Sequence, residues 1–155
     1  MNKFTFILIM FISSASLSAG TTSDSTIKVD NSDQIKILYK KAETYIEEEN
    51  FKKSLKVLKA LTKREDLSGF RADIYNLLGF SYRKLKKPDL DKSFAAYMMA
   101  IEIDPKHIGA HEYLGELYLM LDKKNKAIEI LTKLESLAGI SSEAYLDLNK
   151  AINQY

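Results

Sequence analysis

His107 and His111 stand four residues apart, with Glu112 beside them and Glu116 one turn further on. Imidazoles at that spacing share one face of a helix, an arrangement that holds metals. A closed metal site needs more ligands than two, so no metal and no cofactor is assigned, and His-based metal binding stays an alternative reading. The Met98-Met99 pair fits helix packing better than copper. Both His fall in one segment, so no Ser/His/Asp relay is legible. The single Gly residues do not form a phosphate-binding loop. With no Cys in the chain there is no thiolate nucleophile, disulfide or thiolate metal site. The runs Glu47-Glu48-Glu49, Lys52-Lys53 and Lys84 to Lys87 read as solvated helix surface. Nothing here assembles a reaction, and the chain is not expected to be an enzyme.

The composition narrows the field further. Lys and Arg total 23 against 21 Asp and Glu in 155 residues, a formal charge of +2. That is no basic excess of the kind a nucleic-acid partner demands. The length suits one domain that buries roughly two-thirds of its unfolded surface. Six Gly and two Pro are too few for a turn-rich β-sandwich or a disordered linker.

Residues 1–20 (MNKFTFILIMFISSASLSAG) place Lys3 before an apolar run from Phe4 to Ile12 and a small-residue stretch from Ser13. That order reads as a secretory signal peptide, with cleavage expected near residues 18–20. The apolar run is about half the ~20 residues of a spanning helix, so no stable membrane insertion is expected after cleavage. Export to the cell envelope follows, the periplasm in a double-membraned bacterium. Residues 21–31 are rich in Ser, Thr and Asp and read as a flexible leader.

From Ser32 onward the apolar spacing is that of helices. Stripes run through Ile35/Leu38/Ala42/Tyr45, Leu55/Leu58/Leu61, Ile74/Leu78/Tyr82, Phe94/Tyr97/Ile101, Leu114/Leu117/Leu121, Ile128/Leu131/Leu134 and Tyr145/Leu148/Ile152. Seven helices are predicted. Pro88 follows the Lys86-Lys87 turn, and Asp104-Pro105 reads as an N-cap followed by Pro at the first helical position. Gly139 is expected to end the sixth helix in a left-handed cap, and Ser141 or Ser142 to start the seventh.

The stripes repeat. Tyr75-x2-Leu78-Gly79-x2-Tyr82 is matched by His111-x2-Leu114-Gly115-x2-Tyr118, and Ser93-x3-Tyr97 by Ala127-x3-Leu131. Ser54-x3-Leu58, with Ala42 and Tyr45 before it, is an earlier and weaker copy. Ser93 and Ala127 are 34 residues apart; Gly79 and Gly115 are 36 apart, with extra residues in the Lys86–Asp91 turn. This pattern resembles the tetratricopeptide repeat (TPR), a 34-residue helix–turn–helix unit. The units fall at about 35–68, 72–105 and 108–139, with residues 142–154 as a capping helix within a domain spanning 32–155. The resemblance implies an all-α, right-handed α-solenoid. Gly79, Gly115 and Ala42 are expected where paired helices nearly touch, faced by Ser93, Ala127 and Ser54.

The resemblance also implies a concave groove lined by the first helix of each unit. At the groove positions the first unit offers Lys36, Tyr39, Glu43, Ile46 and Glu47. The second offers Asp73, Asn76, Phe80, Arg83 and Lys84, and the third Gly109, Glu112, Glu116, Leu119 and Met120. We take Tyr39, Asn76, Phe80, Arg83, Lys84, Glu112, Glu116 and Leu119 as the candidate binding residues. Arg83 with Lys84 is expected to form a basic spot, reversible without unfolding, and Glu112 with Glu116 an acidic one. Some TPR modules clamp a partner's C-terminal carboxylate. The matching positions here are Tyr39, Glu43, Leu77, Gly109 and Tyr113, none of the Lys, Asn or Arg types that clamp requires. The function implied is a non-catalytic scaffold that binds a peptide or protein segment in the cell envelope. The alternative is a homo-oligomer joined through the repeat ends.

Overall fold

The computed structural model describes residues 31–67 and 69–155. The signal peptide and its cleavage site lie outside the described residues. So does the leader, except Asn31, which opens the first helix. The described residues form seven helices and no strand: α1 (Asn31–Glu47), α2 (Phe51–Leu61), α3 (Arg71–Arg83), α4 (Leu90–Ile103), α5 (Ile108–Met120), α6 (Lys124–Ala138) and α7 (Glu143–Gln154). The described residues are therefore all-α.

Sequential helices pair as α1/α2, α3/α4 and α5/α6, and each pair stacks on the next through α2/α3, α4/α5 and α6/α7. Along one side α1 touches α3, α3 touches α5, and α5 touches α7. Among the described residues α2, α4 and α6 make no such contact with one another. Closer spacing of α1, α3, α5 and α7 makes theirs the inner, concave layer, and α2, α4 and α6 the outer one. This is the architecture of an α-solenoid, in which each pair buries its apolar face only against neighbours.

The core runs through the seam between the layers. Ile35, Ala42, Leu55, Leu58, Leu61, Ile74, Leu78 and Tyr82 fill its N-terminal part. Tyr97, Leu114 and Leu117 form the middle, and Leu119, Leu134, Leu148 and Ile152 the C-terminal part. Two polar contacts sit inside it. The Ser93 hydroxyl donates to the Gly79 carbonyl at 2.9 Å, and the Ser54 and Ser81 hydroxyls meet at 3.1 Å. A small hydroxyl residue satisfies itself in a dry seam where a larger polar group would be stranded.

The helix ends follow local chemistry, with two differences from expectation, at the start of α5 and at the end of α6. Asp89 caps α4 through the Lys92 N–H, and Ser142 caps α7 through the Tyr145 N–H. Asp104 does not start α5. It closes α4, and its side chain accepts from the Lys106 N–H at 3.0 Å. The N-cap of α5 is His107, whose Nδ1 accepts from the Ala110 N–H at 3.0 Å. The Asp-Pro pair thus builds the turn, and an imidazole lone pair does the capping. Gly139 ends α6 at φ 82 and ψ 163, a positive-φ extended conformation, not a left-handed helical cap, that is open essentially to Gly alone.

Candidate functional site

The concave layer brings together side chains from α1, α3, α5 and α7. At the N-terminal end Tyr39 is half-buried, its ring tilted on Phe70 with centroids 5.4 Å apart. Burial, and then the charges of Glu43 and Asp73, push its phenol above the ordinary range. Lys40 pairs with Glu43 at 3.3 Å.

Asn76, one turn into the next inner helix, is 8% exposed, and its carboxamide oxygen is buried with no donor. Its side chain reaches across to α5: a Cβ placed on Gly109 would lie 3.2 Å from the Asn76 amide nitrogen. The glycine lets α3 and α5 approach here. Beside it Asp73 joins His107 at 3.0 Å. The His107 Nδ1 already accepts from Ala110, so Nε2 carries the proton and donates to the Asp73 carboxylate. His111 is buried, and its Nε2 donates to the Pro105 carbonyl at 3.0 Å. The two imidazoles therefore hold the turn between α4 and α5 together. Among the described residues no three His, Asp or Glu side chains gather where they could hold a metal.

The centre of the face is aromatic and ionic. Phe80 stands edge-on to Phe51 (6.2 Å) and tilts on Tyr113 (5.1 Å). The Arg83 guanidinium lies over both rings, 5.6 Å from the Phe80 centroid and 5.4 Å from that of Tyr113. It is bonded to the Glu116 carboxylate, which ties α3 to α5. Burial works against its charge, but the Tyr97 oxygen and Glu116 outweigh it and hold its pKa above the ordinary value. Arg83 is only 6% exposed, so the expected basic spot reduces to Lys84. That side chain is exposed, with its ammonium 5.5 Å from the Phe80 centroid. The expected acidic spot divides likewise: Glu116 is spent on Arg83, and Glu112 is not. Leu119, expected as an apolar contact, packs inward against the C-terminal core, and its neighbour Met120 is the exposed one.

Glu112 is half-buried on α5. Burial first, then repulsion from Glu116, Asp147 and Glu143, pushes its carboxyl up to about 7, with Arg83 opposing. Desolvation and like charges both favour the neutral acid. Glu143 and Asp147 stand outside the groove positions read from the sequence, yet both bear on Glu112. The spacing held a signal, since Asp147 follows Glu112 by 35 residues, about one repeat. Tyr113 was also left out of the groove, although it stands one turn before Glu116.

The repeats identify the family. Models of the tetratricopeptide repeat match residues 72–107 and 96–129. Tetratricopeptide repeat protein 37 of Xenopus laevis is 32% identical over 92 residues, covering 59% of this chain and 6% of that protein. Residues 72–129 therefore carry tetratricopeptide repeats, and the chain spans only a small part of that relative's length. Two solved structures share the fold. One is the type III secretion chaperone SycD of Yersinia enterocolitica in complex with a peptide of the translocator YopD. It has a TM-score of 0.65 at 16% identity, covering 82% of this chain and 92% of that one. The other is the first TPR of Spaghetti (RPAP3) bound to the HSP90 peptide SRMEEVD. It has a TM-score of 0.65 at 19% identity, covering 81% and 97%.

Proposed function

We propose that this protein is a non-catalytic interaction module that holds a peptide or protein segment along the concave face of α1, α3, α5 and α7. The observation that carries the reading is the make-up of that face. Half-buried rings at Tyr39 and Tyr113 lie along it, the Phe80 expected as an apolar contact being buried beneath, and charged groups at Lys84 and Glu112 have no ion-pair partner among the described residues. Rigid aromatic contacts beside unsatisfied charges suit recognition of a chain segment. Structures of the same fold that hold peptides support it. The proposed setting is the cell envelope, reached through the signal peptide at residues 1–20, and the periplasm in a double-membraned bacterium. Fractionation and the N-terminal sequence of the mature chain test that setting; a chain that keeps Met1 in the cytosol overturns it.

Because Phe80 and Arg83 are buried, a photoreactive side chain belongs at Lys84, with exposed Glu102 of α4 as the outer-face control. In living cells a single protein is expected to crosslink from position 84 and not from 102. Crosslinking from 102 alone overturns the groove.

Self-association is the second reading, favoured by one specific observation. Ile37 on the first helix is 60% exposed and Leu146 on the last is 51% exposed, so each end of the array presents a large apolar side chain. Sedimentation of the purified chain distinguishes the two. A stable oligomer that Ile37→Lys dissolves favours self-association; a monomer favours the groove.

A further inference from the structure

The first hairpin leaves uncovered a face that its two successors bury. Ile37, Lys41 and Thr44 of α1 stand where α3 has Ile74, Leu78 and Ser81 and α5 has Ala110, Leu114 and Leu117. All six of the later residues are buried, and Ile74 and Leu78 share a core cluster with Leu55, Leu58 and Leu61 of the preceding α2. Among the described residues no helix precedes α1, and Ile37 is 60% exposed. A shallow hollow of about 500 Å³ marks the place, lined by Ile37, Lys40, Lys41, Thr44 and Tyr45. It is charged as well as apolar. The Lys41 and Lys53 ammonium groups lie 6.0 and 5.4 Å from the Tyr45 ring centroid. Neither has an ion-pair partner among the described residues, nor has Glu48, one turn beyond Thr44. A helix that covers this face must set an acid opposite Lys41 and, seven residues on, a base opposite Glu48, with an apolar side chain between them.

The other end of the same chain has that order. Glu143, Leu146 and Lys150 of α7 follow one another at spacings of three and four residues and so share one face. Glu143 and Lys150 have no ion-pair partner among the described residues. Leu146 is 51% exposed, and Ile140, just before α7, is 60% exposed. We propose that α7 of one copy docks, parallel, on the uncovered face of α1 in a second copy. Glu143 then meets Lys41, Lys150 meets Glu48, Ile140 meets Ile37, and Leu146 enters the hollow beside Tyr45. This rests on self-association, the second reading above, and names its two surfaces and their register. The surfaces are different, so every added copy keeps a free end and the assembly does not close as a dimer.

Sedimentation of the purified chain over a range of concentrations tests it. The mass is expected to rise past that of a dimer as concentration rises, and to fall back as salt is added. Two variants exchange charges within one end and leave the net charge unchanged: Lys41→Glu with Glu48→Lys, and Glu143→Lys with Lys150→Glu. Each alone sets like charges opposite one another and is expected to weaken association about tenfold or more. Mixed in equal amounts, the two are expected to associate as the unaltered chain does, because each altered end matches the other; that recovery also shows both variants folded. A mixture that stays monomeric, or a single variant that associates like the unaltered chain, overturns the proposal. If association stops at a dimer, self-association stands and the end-to-end contact falls. A monomer at every concentration removes both. A photoreactive side chain at Ile37 identifies what lies on the face. The expected crosslink is to α7 of a second copy; one to a different protein, or within one chain to residues before 31, overturns the proposal.

Discussion

Arg83 carries a charge into a nearly dry position, between two rings and one carboxylate. Removing one partner of such a pair leaves the other stranded, and the loss exceeds the net worth of the pair. We therefore expect Arg83→Met to destabilise the chain by about 2–4 kcal/mol, toward the low end because Glu116 keeps some contact with water. Arg83→Met with Glu116→Leu should recover much of it. Urea unfolding of the single and double variants measures the difference; equal losses in both would mean that the ion pair is not what holds α3 to α5. Glu112 behaves in the opposite sense. Its carboxyl is raised to about 7, so the folded state binds its proton more tightly than the unfolded state. The penalty is absent below the unfolded value near 4.5, grows through the interval, and is complete above 7. At pH 8 it amounts to at most about 3 kcal/mol. Glu112→Gln should raise the melting temperature at pH 8 and change it little at pH 5. An equal gain at both pH values would show that its effect is packing and not charge.

Helix pairs are held at distances set by what stands opposite each glycine. A Cβ on Gly79 would lie 2.6–3.0 Å from the Tyr97 ring, which is fully buried and has nowhere to go. A Cβ on Gly115 would meet the terminal methyl carbons of Leu148 at 2.4 and 2.8 Å. The second contact involves the far end of a flexible side chain. Alanine gains about 1 kcal/mol in helix propensity over glycine, and overpacking costs about 1–3 kcal/mol. We expect Gly79→Ala to be clearly destabilising, Gly79→Leu more so, and Gly115→Ala nearly neutral. Thermal melts of the three variants test the order; an unchanged melting point for Gly79→Leu would remove the close contact between α3 and α4. The small residues expected opposite these glycines were half of the account. Ser93 does meet Gly79, through the carbonyl. The wall facing Gly115, however, is Leu148 of α7, with Ile130 of α6 behind it.

An array of paired helices distributes its stability along the chain, and the last pair depends on what closes it. Here α7 covers α5 and α6 with Ala144, Leu148 and Ile152. A chain ending at residue 139 loses two large apolar side chains worth about 1.5–3 kcal/mol each when buried. It should expose amides of α5 and α6 to hydrogen exchange while those of α1 to α3 stay protected. Uniform loss of protection along the chain would show a single cooperative block instead.

Tyr75-x2-Leu78-Gly79-x2-Tyr82 and its copy determined the repeat by themselves, because helix periodicity and close packing restrict which residues stand 3, 4 and 34 apart. Helix number, pairing and the inner layer follow from that local grammar. The start of α5 was misread because Asp-Pro is a common opening, and only the turn's hydrogen bonds show His107 accepting from Ala110. The state of the charged groups was not in the sequence at all. Whether Arg83 is a free cation, whether Glu112 carries a proton and whether Asn76 finds a donor depend on neighbours one repeat away. Distances and burial across that gap exist only once the helices are stacked, because a charge's energy is set by what surrounds it and not by its place in the chain.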